Sequence, residues 1–180
     1  MKQTYNVKLT DKSVNALIKK LKTYEKSLLA KTQQVLRKLA DMGIQVAYQN
    51  EGLYEGHLSF TKSAVDNNGN VFSLVLIGKR KHYVKVSWKV KDGIKTVNVD
   101  PLLMAEFGSG WLANNMWDIG GVGQGTFPNQ KHASDPKGWW WEDLSGVTHH
   151  SIGQQPSYPM YKAWLQMQED INTVIKEVFK

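Results

Sequence analysis

The chain has 180 residues, 41% of them hydrophobic, no cysteine and a net charge of +7. That length buries a full core without disulfides or metals, and the composition excludes disorder over the whole chain, a disulfide scaffold, thiolate metal sites and thiol chemistry. The charge is uneven, with +8 on residues 1–40 and −1 on the rest. A basic segment on a near-neutral body points to an acidic partner, or simply to the wet face of a long helix.

Taken in chain order, Met1 to Thr4 leads into mixed polar residues with no apolar run of a signal peptide. No window reaches the roughly 18 apolar residues of a membrane span, and the lack of cysteine fits assembly in a reducing cytoplasm. Asp11 is a candidate N-cap. Apolar residues then recur at Val14, Leu17, Ile18, Leu21, Tyr24, Leu28, Val35, Leu39, Met42 and Val46, a stripe at helical spacing. Lys19, Lys20, Lys22, Lys26, Lys31, Arg37 and Lys38 fall mainly on the other faces. No proline interrupts residues 11–48, so they read as one basic helical region. Unbroken, it would be roughly 55 Å long, more than a compact domain of this size needs. Part of it therefore reaches a neighbour, or it breaks into two.

Asn50-Glu51-Gly52 ends that helix, and the pattern turns to strands. His57-Leu58-Ser59-Phe60-Thr61 alternates, and Asp66-Asn67-Asn68-Gly69-Asn70 is a hairpin turn. Val71 to Ile77 is largely apolar and reads as a central strand. Tyr83 to Val90 and Ile94 to Val99 follow around the turn Lys91-Asp92-Gly93. Asp100-Pro101 opens a short helix to Phe107, with proline suited to its first turn. Residues 108–157 are rich in Gly, Trp, Pro, Asn and His and show little periodicity. A connection of that length is commonly functional. Pro159 starts a last helix with an apolar stripe at Met160, Trp164, Met167, Ile171, Val174, Ile175 and Val178. The expectation is one α+β domain over residues 1–180. It comprises the helical region 11–48, a sheet of about four antiparallel strands and a short helix in 51–107, a Gly/Trp-rich assembly loop in 108–157, and an amphipathic C-terminal helix in 158–180 packed on the sheet.

Candidate chemistry is sparse. His149-His150 with His132 and Asp135 could suggest a metal site. Adjacent strand histidines point to opposite faces, however, and no zinc-type spacing is present. Gly120-Gly121-Val122-Gly123-Gln124-Gly125 resembles a phosphate loop only in its glycines. It lacks the Gly-Lys-Ser/Thr and the following helix, since Thr126-Phe127-Pro128 comes next. Trp139-Trp140-Trp141-Glu142-Asp143 could stack on sugars or bases, or set carboxylates beside a glycosidic bond. The simpler reading is a strand that buries one row of tryptophan in the core and offers the other to a partner subunit. No nucleophile elbow occurs. No catalytic residue, cofactor or metal is expected.

Several motifs nevertheless stand in one order. Met104-Ala105-Glu106-Phe107-Gly108-Ser109-Gly110 follows the strands. The aromatic run Gly138-Trp139-Trp140-Trp141 comes next. Then His150-Ser151-Ile152-Gly153-Gln154-Gln155-Pro156-Ser157-Tyr158-Pro159-Met160-Tyr161-Lys162-Ala163 leads into the last helix. This order resembles the tail-completion, or head–tail joining, family of long-tailed bacteriophages over nearly the whole chain. Members show Glu-Phe/Tyr-Gly-Thr-Gly after a sheet and Gly-Gln-x-x-x-Pro-Phe-Met/Leu-x-Pro-Ala at the last helix. Ser109 stands here for Thr, Lys162 for Pro, and the usual Arg before Gly-Gln is absent. The stretch between Gly110 and Gly138 is also longer than the family pattern. The resemblance implies a non-enzymatic virion protein forming a homo-oligomeric ring, of six subunits, between the neck or connector proteins and the tail tube. Glu106, Phe107, Gly108, Gly110, Trp139, Trp140, Trp141, Gly153, Gln154, Pro156 and Pro159 are the candidate interface residues. Glu106 is unfavourable near a helix C-terminus, and a lysine or backbone amides of a neighbouring subunit would explain it. Two other readings stay open: sequence-nonspecific nucleic-acid binding by the basic helix, and carbohydrate or cell-wall activity at the tryptophans.

Overall fold

The computed structural model describes residues 11–67, 71–114 and 135–180. The stripe of the N-terminal region forms a single helix, α1 (Asp11–Gln49), without a break. It is about 58 Å long at 1.5 Å per residue. The candidate cap at Asp11 falls at the edge of the described residues, and its side chain lies outside them, as does residues 68–70 of the hairpin turn. A short 3-10 turn, Gly52–Tyr54, redirects the chain. Strands β1 (Leu58–Asn67) and β2 (Val71–Arg80) then pair antiparallel along their full length, from Leu58 opposite Arg80 to Asn67 opposite Val71.

β2 is not a central strand. It belongs to a two-stranded ribbon. Its apolar content has another cause: Leu76 packs into the core beneath α1, while Val75 on the opposite face is exposed. A second antiparallel sheet has the order β4-β3-β5-β6. Its strands are β3 (Val84–Val90), β4 (Gly93–Val99), β5 (Trp139–Glu142) and β6 (Thr148–Ser151). β3 and β4 form a hairpin in which the Ser87 and Thr96 hydroxyls lie 2.8 Å apart. The chain returns from its long excursion to add β5 beside β3, with Lys89 opposite Glu142.

Helices α2 (Pro101–Phe107) and α3 (Gly110–Asn114) lie in sequence between β4 and β5 of the second sheet, and β7 (Gly153–Gln154) precedes α4 (Pro159–Val178). Asp100 caps α2, its carboxylate accepting the Leu102 and Leu103 amides, and it also pairs with Arg80 of β2. The C-terminal helix was expected on the sheet. It does share the core with the ribbon, Ala163 and Met160 packing with Leu58, Phe60 and Leu76, but its chief partner is α1. One core cluster is Ala47, Leu58, Phe60, Ala105 and Ala163, where three alanines let α1, α2 and α4 approach closely. The other is Val35 and Leu39 of α1 with Val174 and Val178 of α4. Gly43 belongs to this contact: a Cβ there would stand 2.8 Å from the Met167 sulfur.

The two helices run antiparallel, with Lys38 bridging to Glu177 at 3.0 Å and Lys162 donating to Asn50. α4 is half the length of α1. Its end is marked by Phe179, whose ring takes the Lys31 ammonium at 5.3 Å. Residues 11–30 of α1 extend beyond that point as an overhang. Its stripe is uncovered: Val14, Ile18 and Leu28 are exposed, Leu21 is 51% exposed and Tyr24 61%.

Candidate assembly surface

Two of the sequence motifs close on each other. Glu106 sits in the last turn of α2, against the helix dipole. Its carboxylate accepts the backbone amides of Met160 at 2.9 Å and Tyr161 at 3.0 Å. These are among the unsatisfied donors that every helix start presents. α4 has no cap of its own. Tyr158 at the cap position is left-handed at φ 58°, makes no side-chain cap, and Pro159 follows at the first turn. A residue 54 positions earlier therefore does the capping. The partner expected from a neighbouring subunit is supplied by the same chain. Burial pushes the Glu106 pKa up, and the two amides pull it back only in part.

The following residues complete the clasp. Ser109 and Gly110 bridge antiparallel to Gln154 and Gly153, and the Ser109 hydroxyl accepts the Gln154 amide at 3.1 Å. The Ala105 carbonyl accepts the Ser157 and Tyr158 amides at 2.8 and 3.0 Å. Two glycines are sterically required. Gly108 stands at φ 66°, where a Cβ would lie 2.4 Å from the Gln154 carbonyl oxygen. Gly153 stands at φ 111°, with its absent Cβ only 2.0 Å from the Ser109 carbonyl oxygen. Real side chains do not tolerate either the angle or the distance. Pro156 and Pro159 are buried in the same place, and Phe107 is half-buried. Thus Glu106, Gly108, Gly110, Gly153, Gln154, Pro156 and Pro159 come together, but largely to close the chain on itself.

Sequence reasoning missed the third wall of this clasp. The Tyr54 hydroxyl donates to Gln154 Oε1 at 2.7 Å, and burial raises the Tyr54 pKa. Glu51, read only as a helix-ending residue, is 4% exposed. Its Oε2 accepts the Gly56 amide at 2.7 Å, and its Oε1 has no partner. Only its burial marks it, and burial is not visible in a sequence pattern. His57 and His82, 2.8 Å apart at their ring nitrogens, were also not singled out, because they come from separate strand ends.

The tryptophans stand apart, in the second sheet. β5 pairs with β6 so that Trp140 lies opposite His150 and Trp141 opposite His149. The alternation expected of a strand is present. Trp139 and Trp141 are half-buried on one face, and Trp140 is 72% exposed on the other. His149 stacks on Trp141 and sits 2.9 Å from Asp143, whereas His150 packs on Trp140 and meets the Lys137 carbonyl. The adjacent histidines thus face opposite ways. His132 and the glycine run 120–125 lie outside the described residues.

Comparison with family models, curated proteins and solved structures finds no match.

The chemistry of the surface follows from its own groups. The Ser145 hydroxyl first, then His149 and the Val147 amide, hold the Asp143 carboxyl well below the usual carboxylate range. Glu142 is paired with Lys89 at 3.2 Å. Both carboxylates beside the tryptophans are therefore occupied in fixing the hairpin. Among the described residues no three His, Cys, Asp or Glu side chains gather as a metal site. None of the described helices is long and apolar enough to cross a membrane. The exposed apolar groups of the surface include Trp140, the stripe of the α1 overhang, and Trp164, Ile171 and Ile175 of α4.

Proposed function

We propose that this chain is a structural, non-enzymatic virion protein of a long-tailed phage or prophage, a ring-forming tail-completion or head–tail joining component at the neck. The observation that carries the reading is the clasp. The two motif blocks on which the resemblance rests, around Glu106–Gly110 and Gly153–Ala163, pack into one unit. Glu106 caps the helix that the second block begins. Their order along the chain therefore has a physical reason, because neither block is satisfied without the other. The exposed apolar surfaces suit a protein that works by binding its neighbours.

The test is microscopy and composition of virions. Rings by negative stain, and antibody labelling at the neck of purified particles, are the expected results. Absence of the chain from purified virions would sink the reading. A second reading takes the lysines of the overhang as a phosphate-binding row. It requires affinity for any DNA sequence that falls steeply with salt. A footprint at one defined site would contradict it, since lysine supplies charge and not bidentate base recognition.

A further inference from the structure

The open end of the β1–β2 ribbon carries a histidine on each strand. His57 stands just before β1 and His82 two residues after β2, so pairing of the strands brings them side by side. His57 Nδ1 and His82 Nε2 lie 2.8 Å apart, with the ring planes at 64°. Backbone bonds fix the place of His57. Its amide donates to the Tyr54 carbonyl at 2.9 Å, and its carbonyl accepts the Lys81 amide at 2.8 Å. The turn before it is held by the Glu51 carboxylate, which accepts the Gly56 amide. The Lys81 bond already joins the two ends of the ribbon. The histidine side chains are therefore not needed to close it, and the backbone that presents them is set in advance, as a binding site requires.

Two imidazole nitrogens this close can share a proton, or they can share a metal ion. An ion bound by each nitrogen at about 2.0 Å spaces them about 2.8 Å apart when they meet it at a right angle, and about 3.3 Å apart in a tetrahedron. The observed spacing is that of two neighbouring corners of a square or an octahedron. Imidazole in that geometry suits copper(II) and nickel(II), which also stand at the tight end of the divalent series. The surrounding groups select in the same direction. Among the described residues no three His, Cys, Asp or Glu side chains gather, so no carboxylate joins the pair. Magnesium and calcium need several oxygen ligands and do not find them here. Nitrogen coordination has to hold the ion, with water at its other positions.

We propose that His57 Nδ1 and His82 Nε2 form a two-nitrogen site for a divalent transition metal of the copper–nickel type, which ties the entrance of β1 to the exit of β2. His82 is exposed and His57 half-buried, so the ion arrives directly from solvent. Each nitrogen gives a lone pair, and the proton between them leaves to solvent as the ion binds. The other described histidines do not offer the same arrangement. His149 and His150 face opposite ways, and their Nε2 atoms are engaged by Asp143 and the Lys137 carbonyl. The site does not depend on the neck reading.

The probe is Cu2+ alone, titrated into the full chain and followed by pulsed electron paramagnetic resonance, which counts the imidazoles on the ion. One tightly bound Cu2+ per chain with two imidazoles is expected. His82→Ala leaves both backbone bonds of His57 in place. It should weaken binding at least about tenfold and leave one imidazole or none on the ion. His57→Ala should do the same, and so should His82→Gln, which keeps the bulk of the side chain and so guards against a folding defect. Two imidazoles that persist in the His82 variants, or binding of undiminished strength, would place the ion elsewhere and overturn the site. A wild-type chain that takes up no Cu2+ overturns it as well, and leaves the pair as two rings sharing a proton.

Discussion

The clasp and the α1 overhang are opposite uses of sequence. In the clasp, residues from three separate stretches meet. Glycines stand where no Cβ fits, and the carboxylate of Glu106 satisfies amides 54 and 55 residues away. In the overhang, a helix of good periodicity turns its apolar stripe to solvent. One region is closed by its own chain, and the other leaves its apolar stripe open to solvent. Substitutions in the clasp should therefore damage folding at any protein concentration, whereas those in the overhang should spare folding and damage association.

The largest effect is expected at Gly153. Gly153→Val adds a Cβ 2.0 Å from the Ser109 carbonyl oxygen at a φ of 111°, which the bridge cannot absorb. A loss of about 3 kcal/mol or more is expected in urea unfolding. An unchanged midpoint would show that the clasp is not the closed element described here.

The second test compares two leucines of one stripe. Leu39, buried against Val174 and Val178, should cost about 2–4 kcal/mol as alanine through the cavity it leaves. Leu21→Ala in the overhang should stay within about 0.5 kcal/mol. If the two costs were similar in dilute protein, the overhang would already be covered in the isolated chain and the contrast would collapse.

Both helices were legible from spacing alone, as were the strands of the ribbon and of the β3–β4 hairpin, because a pattern of 3.6 or 2 marks which residues share a face. It does not say what covers that face. Hence the pattern does not reveal that α4 packs chiefly along α1 as well as on the ribbon, or that the apolar β2 is half of a two-stranded ribbon and not a central strand. Glu106 did leave a readable trace: an acid at the wrong end of a helix demands a partner. Its partner was the start of the last helix, a contact between residues 54 apart that no local rule reaches. Tyr54 and Glu51 left no trace, since only burial marks them.

A smaller effect is expected at Glu106 itself. Glu106→Ala removes the cap of α4 and should cost about 1 kcal/mol. The wild-type group also carries a pH signature. Because burial raises its folded pKa above the ordinary 4.5, its contribution to stability is full below that value and declines as pH rises through the folded pKa. Glu106→Gln should flatten this slope. Asp143 has the opposite sign. Its folded pKa is depressed, so what it contributes is present above the ordinary carboxylate range and lost as pH falls through the folded value. The smallest effect should be that of Asp143→Ala, seen as faster amide exchange at Ser145 and Val147, which donate to its carboxylate, with the unfolding midpoint nearly unmoved. No change in exchange would mean that the turn is held by its backbone alone.

The clasp also decides where this chain can vary in length. Ser109 and Gly110 bridge to Gln154 and Gly153, and the Trp111 amide donates to the Ile152 carbonyl, so residues 111–152 leave and re-enter the framework at one doorway. With the two sides of that doorway fixed to each other, lengthening a flexible loop between them costs only about 0.6 kcal/mol for each doubling. The excursion is therefore a cassette. A change of length there is expected to leave the start of α4 and its seam with α1 in place, because the doorway bonds hold both ends of the loop.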